Sequence, residues 1–171
     1  MDTYDAVRTV LAVRAFQEKP VPAEVKNRIL EAGRLTASGS NQQPWHFILV
    51  DDRAGLQQLG TLVKTGPYIA QAAFAVVVVV EQSKMALSDG SRAIQSMILT
   101  AWDNGVGSNW SGFASIPEVN KALNIPDNLD VLAVVPFGYP AKEVGQGKKN
   151  RKAPAEVFYR GKFGQPYMPK S

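Results

Sequence analysis

The run AAFAVVVVV, residues 72–80, limits the fold more than any other stretch of the chain. Five consecutive valines disfavour a helix, because a β-branched side chain loses rotamer freedom against the preceding helical turn and packs well on a pleated sheet. A strand that is apolar on both faces must be covered on both faces. The run therefore predicts a central strand sandwiched between layers. With nine residues it is too short for a membrane span, which takes about 20.

The segments around it suggest what the covering layers are. Residues 3–13 predict a short helix with Val7, Val10 and Leu11 on one side. KPVPAEVKNRILEAGRL predicts a stronger one, with Pro22 in its first turn and Val25, Ile29, Ala32 and Gly33 at helical spacing. WHFILVD at 45–51 reads as a buried strand, residues 53–63 as a helix, and TGP at 65–67 as a breaker. SDGSRAIQSMILTAWDNGVG is the longest helix, capped by Ser88 or Asp89. Its apolar stripe is Ile94, Met97, Ile98, Ala101 and Gly105, and Gly105 and Gly107 end it. A short helix over 116–123 starts near Pro117, and LDVLAVVPFGYP is a third strand closed by Gly138 and Pro140. This order fits an α+β or three-layer α/β protein with a small sheet. At 171 residues one domain is expected, with a C-terminal arm from about 141. The arm carries Phe158, Tyr159, Phe163 and Tyr167, too many aromatics for a disordered end, so it is expected to pack, with a second subunit as a candidate surface.

Composition removes most catalytic classes. There is no Cys and one His, His46, so thiolate chemistry, zinc fingers and the two-histidine zinc-protease motif are excluded. There is no nucleophile elbow and no phosphate-binding P-loop. GVGSNW at 105–110 begins like a dinucleotide-binding turn, but Trp110 replaces its last Gly and it follows a helix, not a strand. His46, between aromatics in a strand, reads as structural. With so few acid–base groups, demanding chemistry would come from a bound cofactor. The N-terminus lacks the pattern of a signal peptide, so a cytoplasmic location is expected. The net charge of +4 is concentrated in KKNRK at 148–152. That run points to an anionic partner, either a nucleic acid or a phosphorylated cofactor.

ILEAGRLTASGSNQQPWHFILV, residues 29–50, resembles the flavin-binding helix–loop–strand of the nitroreductase family. Ala37 stands where that family usually has Pro, followed by Ser38, Gly39, Ser40, Asn41, Gln42, Gln43, Pro44 and Trp45. VRAF at 13–16 is similar to the end of the family's N-terminal helix. NGVGSNWSGF at 104–113 resembles its Gly-rich stretch, and GYPAKEVGQGKKNRKAPAEVFYRGKFG resembles its C-terminal basic cluster and arm. Together they cover nearly the whole chain. The resemblance implies a three-layer α+β fold, a domain-exchanged homodimer and FMN at the subunit interface. It also implies ping-pong hydride transfer from NAD(P)H to a nitroaromatic, a quinone or a similar acceptor, without membrane or nucleic-acid partners.

The resemblance also assigns residues. Arg14 would face the flavin pyrimidine edge, where negative charge grows on reduction. Ala37, Ser38, Gly39 and Asn41 would reach the flavin from the partner subunit. Ser111 and Gly112 would turn backbone N–H groups toward N5 and O4. Lys149 and Arg151 would hold the phosphate. Trp45 and Trp110 read as core or dimer packing. The family's N-terminal helix usually reads Arg-Arg-Ser-x-Arg, whereas this chain has Val10 and Ala12 at two of those positions. A charge-assisted hydrogen bond contributes about 1.5–3 kcal/mol, so FMN would bind about ten- to a hundredfold more weakly unless Lys148, Lys149 and Arg151 compensate. Two alternatives follow: a flavin or deazaflavin binder of the same fold with little turnover, or a basic nucleic-acid-binding protein.

Overall fold

The computed structural model describes residues 1–113, 116–144 and 149–168. The elements are α1 (Thr3–Thr9), α2 (Ala23–Arg34), β1 (Trp45–Val50), α3 (Arg53–Leu62), β2 (Phe74–Glu81), α4 (Ala86–Asp103), β3 (Gly107–Ser108), α5 (Pro117–Ala122) and β4 (Leu129–Gly138). They form an α+β protein around one antiparallel sheet in the order β1-β2-β4-β3.

The valine run becomes β2, between β1 and β4, and its two faces are buried by alternate residues. Phe74, Val76, Val78 and Val80 join Ile29 of α2 and Ile94 and Met97 of α4 in one core layer. Ala75, Val77 and Val79 meet Leu56 and Leu59 of α3 and Val119 of α5 in the other. The period-2 geometry of a strand thus turns one apolar run into the middle of three layers. Between β2 and β4 the register shifts at Val78/Val79, where Ala133 and Val131 are the partners. Leu132 is the extra residue. It lies in the same core layer as Ala133, as a bulge requires.

Three expectations are corrected. WHFILVD is not buried throughout: β1 is an edge strand, with only Trp45 and Val50 buried and His46 and Leu49 exposed. The first helix ends at Thr9, with the Val10 N–H donating to the Ala6 carbonyl. Residues 12–16 then run extended beside the sheet, since the Val13 N–H donates to the Ser108 carbonyl and the Ala141 N–H to the Ala15 carbonyl. The reason is packing: Val13 lies so close to β3 that a Cβ at Gly107 would stand 2.5 Å from Val13 Cγ2. The long helix is not capped by Ser88 or Asp89. Its N-cap is Met85, and Asp89 lies within the first turn, free for another task. No described helix is long and apolar enough to cross a membrane.

Candidate functional site

Two groups of polar residues stand out, one at each end of α4. The first is the loop between α2 and β1. Ser40, Asn41 and Gln43 all have left-handed backbone, at φ 49°, 55° and 51°. For residues other than Gly that conformation costs energy, less for Asn than for Ser or Gln. Such strain persists only where surroundings impose it, and it clusters at binding sites.

The imposing contacts are visible. The Gln43 N–H donates to Ser38 Oγ at 2.9 Å. The Gln43 amide donates to the Asn41 carbonyl and to Asn41 Oδ1. The Gly39 N–H donates to Asp89 Oδ2 at 3.1 Å. Asp89 is fully buried, and its other oxygen accepts from Arg92 Nη2 at 2.5 Å. Ala37 and Asn41 are exposed, while Ser38 and Gly39 are half-buried. These contacts give the loop of small polar residues a fixed shape.

The second group gathers near the C-terminal end of α4. Trp102 Nε1 donates to Thr9 Oγ1 at 2.9 Å, which ties that end to α1. Arg14 follows on the extended segment and is exposed. Val13 and Phe16 pack with Ala72, against Tyr68 and Trp102. The Tyr68 hydroxyl lies 3.0 Å from Ser111 Oγ and accepts from the Asn109 amide. So the segment around Arg14 and the turn at Ser111 and Gly112 are neighbours. Ser111 is buried and its N–H donates to the Val134 carbonyl. The Gly112 N–H donates to Thr65 Oγ1 at 3.1 Å. Gly112 has φ 73°, and a Cβ there would stand 2.4 Å from Ile116 Cδ1, so the position requires Gly.

The basic arm joins this second group. Lys149 Nζ donates to the Val7 carbonyl at 2.6 Å, in the last turn of α1. Partial burial, and then the neighbouring Arg151 guanidinium, hold the Lys149 ammonium below the usual lysine range. Among the described residues, no carboxylate pairs with Arg14, Lys149 or Arg151. Lys148 lies outside the described residues. Arg8 is paired with Asp5 at 2.8 Å. A cavity of about 630 Å³ opens between α1, the end of α4 and residues 140–144. Arg8, Thr9, Gln17, Trp102 and Val144 are among its lining residues, and none of its described lining residues is one that the resemblance assigned.

The resemblance therefore assigned two separate clusters. Asp89 and Trp102 are 13 positions apart on one helix, about 20 Å at the helical rise. Asp89 itself was missed as a loop partner because its sequence position suits a helix cap equally well. Tyr68 and Thr65 carried no sequence signal.

Fold and site together define an α+β, sandwiched-sheet protein with a strained polar loop at one end of α4 and a separate cationic group at the other. The chain belongs to the nitroreductase family, whose model matches residues 8–91 and 75–139. A relative from Archaeoglobus fulgidus, provisionally named an NADH dehydrogenase/NAD(P)H nitroreductase, is 33% identical over 147 residues. That match covers 80% of this chain and 84% of the relative. A crystal structure of a protein of the same provisional name from Bacteroides thetaiotaomicron is 30% identical. It covers 92% of this chain and 96% of that one, with a TM-score of 0.83. An FMN-dependent nitroreductase from Clostridium difficile shares the fold at 21% identity and a TM-score of 0.83, over 94% of this chain and 99% of its own.

Proposed function

We propose that the chain acts as a homodimeric, FMN-dependent oxidoreductase. In this reading NAD(P)H delivers a hydride and a nitroaromatic, quinone or similar small acceptor removes it in a second, separate encounter. Residues 1–171 are read as one domain whose arm, from about 141, embraces a second copy.

The observation that carries the reading is the division of the recognition residues between the two ends of α4. No single chain brings Ser38, Gly39 and Asn41 to Arg14, Gly112, Lys149 and Arg151. A second copy offering its loop to the cationic cluster of the first would do so. The exposed arm supports this, with Phe158 46% and Phe163 89% accessible.

The residues suit FMN. Lys149 and Arg151 form a cationic pair without a carboxylate partner among the described residues, as a phosphate requires. Arg14 is exposed and available to a ring edge that gains negative charge. Asn41 offers both donor and acceptor atoms. Gly112 supplies a backbone N–H that, among the described residues, donates to the Thr65 hydroxyl, which a ligand acceptor can replace. Ser111, whose N–H is committed to Val134, supports the turn from below.

When bound, FMN supplies the two-electron chemistry, taking a hydride from NAD(P)H and passing it on. The chain's residues bind and orient it. With Val10 and Ala12 in place of polar residues, the phosphate relies on Lys149 and Arg151, and the inward turn of Lys149 toward α1 favours this role over nucleic-acid binding.

The test is to purify the protein without added cofactor, record its visible spectrum and identify any released chromophore by mass. FMN that is bleached by NADH or NADPH and restored by a nitroaromatic or quinone supports the reading. A colourless protein that takes up no added FMN overturns it.

A further inference from the structure

Three α4 residues at spacing i, i+3 and i+7 form a polar row on the side facing the α2–β1 loop: Asp89, Arg92 and Ser96. Ser96 Oγ lies 2.8 Å from Thr36 Oγ1, at the start of the loop. Asp89 accepts from the Gly39 N–H, one residue before the left-handed pair Ser40 and Asn41. Arg92 fixes the Asp89 carboxylate from the other side, at 2.5 Å. Asp89 is fully inaccessible, while Arg92 remains half-exposed.

A buried carboxylate is costly unless its oxygens are satisfied, and here each oxygen has a partner of a different kind. One partner belongs to the helix, and the other is the backbone of the loop. The loop's backbone N–H therefore has a tertiary reason to face α4, and the chain beyond it must turn sharply to reach buried Pro44 and Trp45. The left-handed residues Ser40, Asn41 and Gln43 are the consequence.

We infer that Asp89 is a positioning residue. Through Gly39 it holds Ser38, Gly39 and Asn41 in the one backbone arrangement that the flavin meets, and Arg92 keeps the Asp89 carboxylate aimed at Gly39. The inference rests on the flavin reading above. Asp89 touches neither cofactor nor substrate, so its effect is on affinity and on the environment of the ring, not on electron transfer itself.

The test compares Asp89→Ala and Asp89→Asn with Asp52→Ala in the full-length protein. Asp52 is a control of similar kind, because its carboxylate caps α3 by accepting from the Gly55 N–H at 2.8 Å, far from the loop. FMN binding is titrated by quenching of flavin fluorescence, and thermal midpoints are recorded alongside. Asp89→Ala is expected to weaken FMN at least tenfold and to shift the visible flavin spectrum. Asp52→Ala is expected to leave affinity within about twofold at a comparable loss of melting temperature. Asp89→Asn, which keeps an acceptor for Gly39, is expected to fall between them. Equal FMN affinity in wild type and Asp89→Ala, or equal weakening by Asp89→Ala and Asp52→Ala, overturns the inference.

A wild-type protein that binds no FMN refutes the flavin reading instead. Amide exchange at Gly39 then decides the lock alone. Protection lost at least tenfold in Asp89→Ala but kept in Asp52→Ala supports it, and unchanged protection overturns it.

Discussion

The loop at 36–44 and the arm at 149–168 are opposites in composition and opposites in outcome. The loop is small, polar and rich in amides, yet it is pinned by Asp89, Ser96 and its own Ser38 into a strained shape. The arm is aromatic, yet its rings find mostly each other. Tyr159 packs on Phe163 at 4.6 Å between centroids, and the Arg160 guanidinium sits over the Tyr167 ring. Phe158, Phe163 and Met168 stay open to solvent. Order is conferred by what a segment meets, not by its residue types: the loop meets a helix of its own chain, and in the proposed dimer the arm would meet a second copy.

This contrast can be broken most forcefully at the arm. Replacing Phe158 and Phe163 by Ser should weaken self-association by about a hundredfold or more, since aromatic anchors at interfaces contribute about 2 kcal/mol or more each. Sedimentation at a series of concentrations reads this, and the unfolding midpoint of the dilute protein should barely move. If association is unchanged, the arm covers no partner and the contrast loses its basis.

Next come the cations. Lys149→Ala and Arg151→Ala should each raise the FMN dissociation constant about ten- to a hundredfold, as loss of about 1.5–3 kcal/mol predicts. The pH dependence sharpens the same point. The Lys149 ammonium is depressed by burial and by Arg151, so in the folded protein it loses its proton at a lower pH than an unfolded lysine. Between the two values the unfolded chain binds more protons, and stability of the cofactor-free protein rises with pH through that alkaline window. FMN affinity should move the opposite way, falling as the charge is lost. Affinity that is flat across the window would remove Lys149 from the phosphate site.

A smaller effect is expected at Gly107. An added methyl meets Val13, and overpacking of this kind costs about 1–3 kcal/mol. Gly107→Ala should lower stability by that amount in denaturant titration and weaken FMN as well, because Arg14 is the next residue. A loss of stability without any effect on FMN would show that Arg14 stands clear of the cofactor.

The smallest effect tests the loop strain. Ser40 at φ 49° carries a left-handed penalty of about 1–2 kcal/mol, partly offset in a Gly variant by about 0.5–1 kcal/mol of chain entropy. Ser40→Gly should therefore stabilise the protein by up to about 1 kcal/mol, and Ser40→Val should destabilise it. A stability gain in Ser40→Val would mean that the loop is not held as described.

Much of the fold was legible because periodicity is local. The valine run, the apolar spacing of Ile94, Met97 and Ala101, and Pro117 at a helix start each became the expected element. The extended path of residues 12–16 was not legible, because Val10, Leu11 and Val13 suit a helix or a strand alike. Contact with Gly107 and Ser108 decided it. Of the candidate site, the loop motif and the basic pair could be read as residues but not as geometry.

The sequence by itself determined that a doubly apolar strand lies between helical layers, that cysteine and paired-histidine chemistry is absent, and that a loop resembling that of the nitroreductase family precedes the first strand. These follow from residue type and short-range spacing. Only the tertiary structure decided that Asp89 serves the loop instead of capping its helix, that Ser111 spends its N–H on β4, and that the two recognition clusters stand at opposite ends of α4. Each depends on where a hydrogen-bonding group finds its partner across dozens of residues, and hydrogen-bonding capacity is written in the sequence whereas the choice of partner is not.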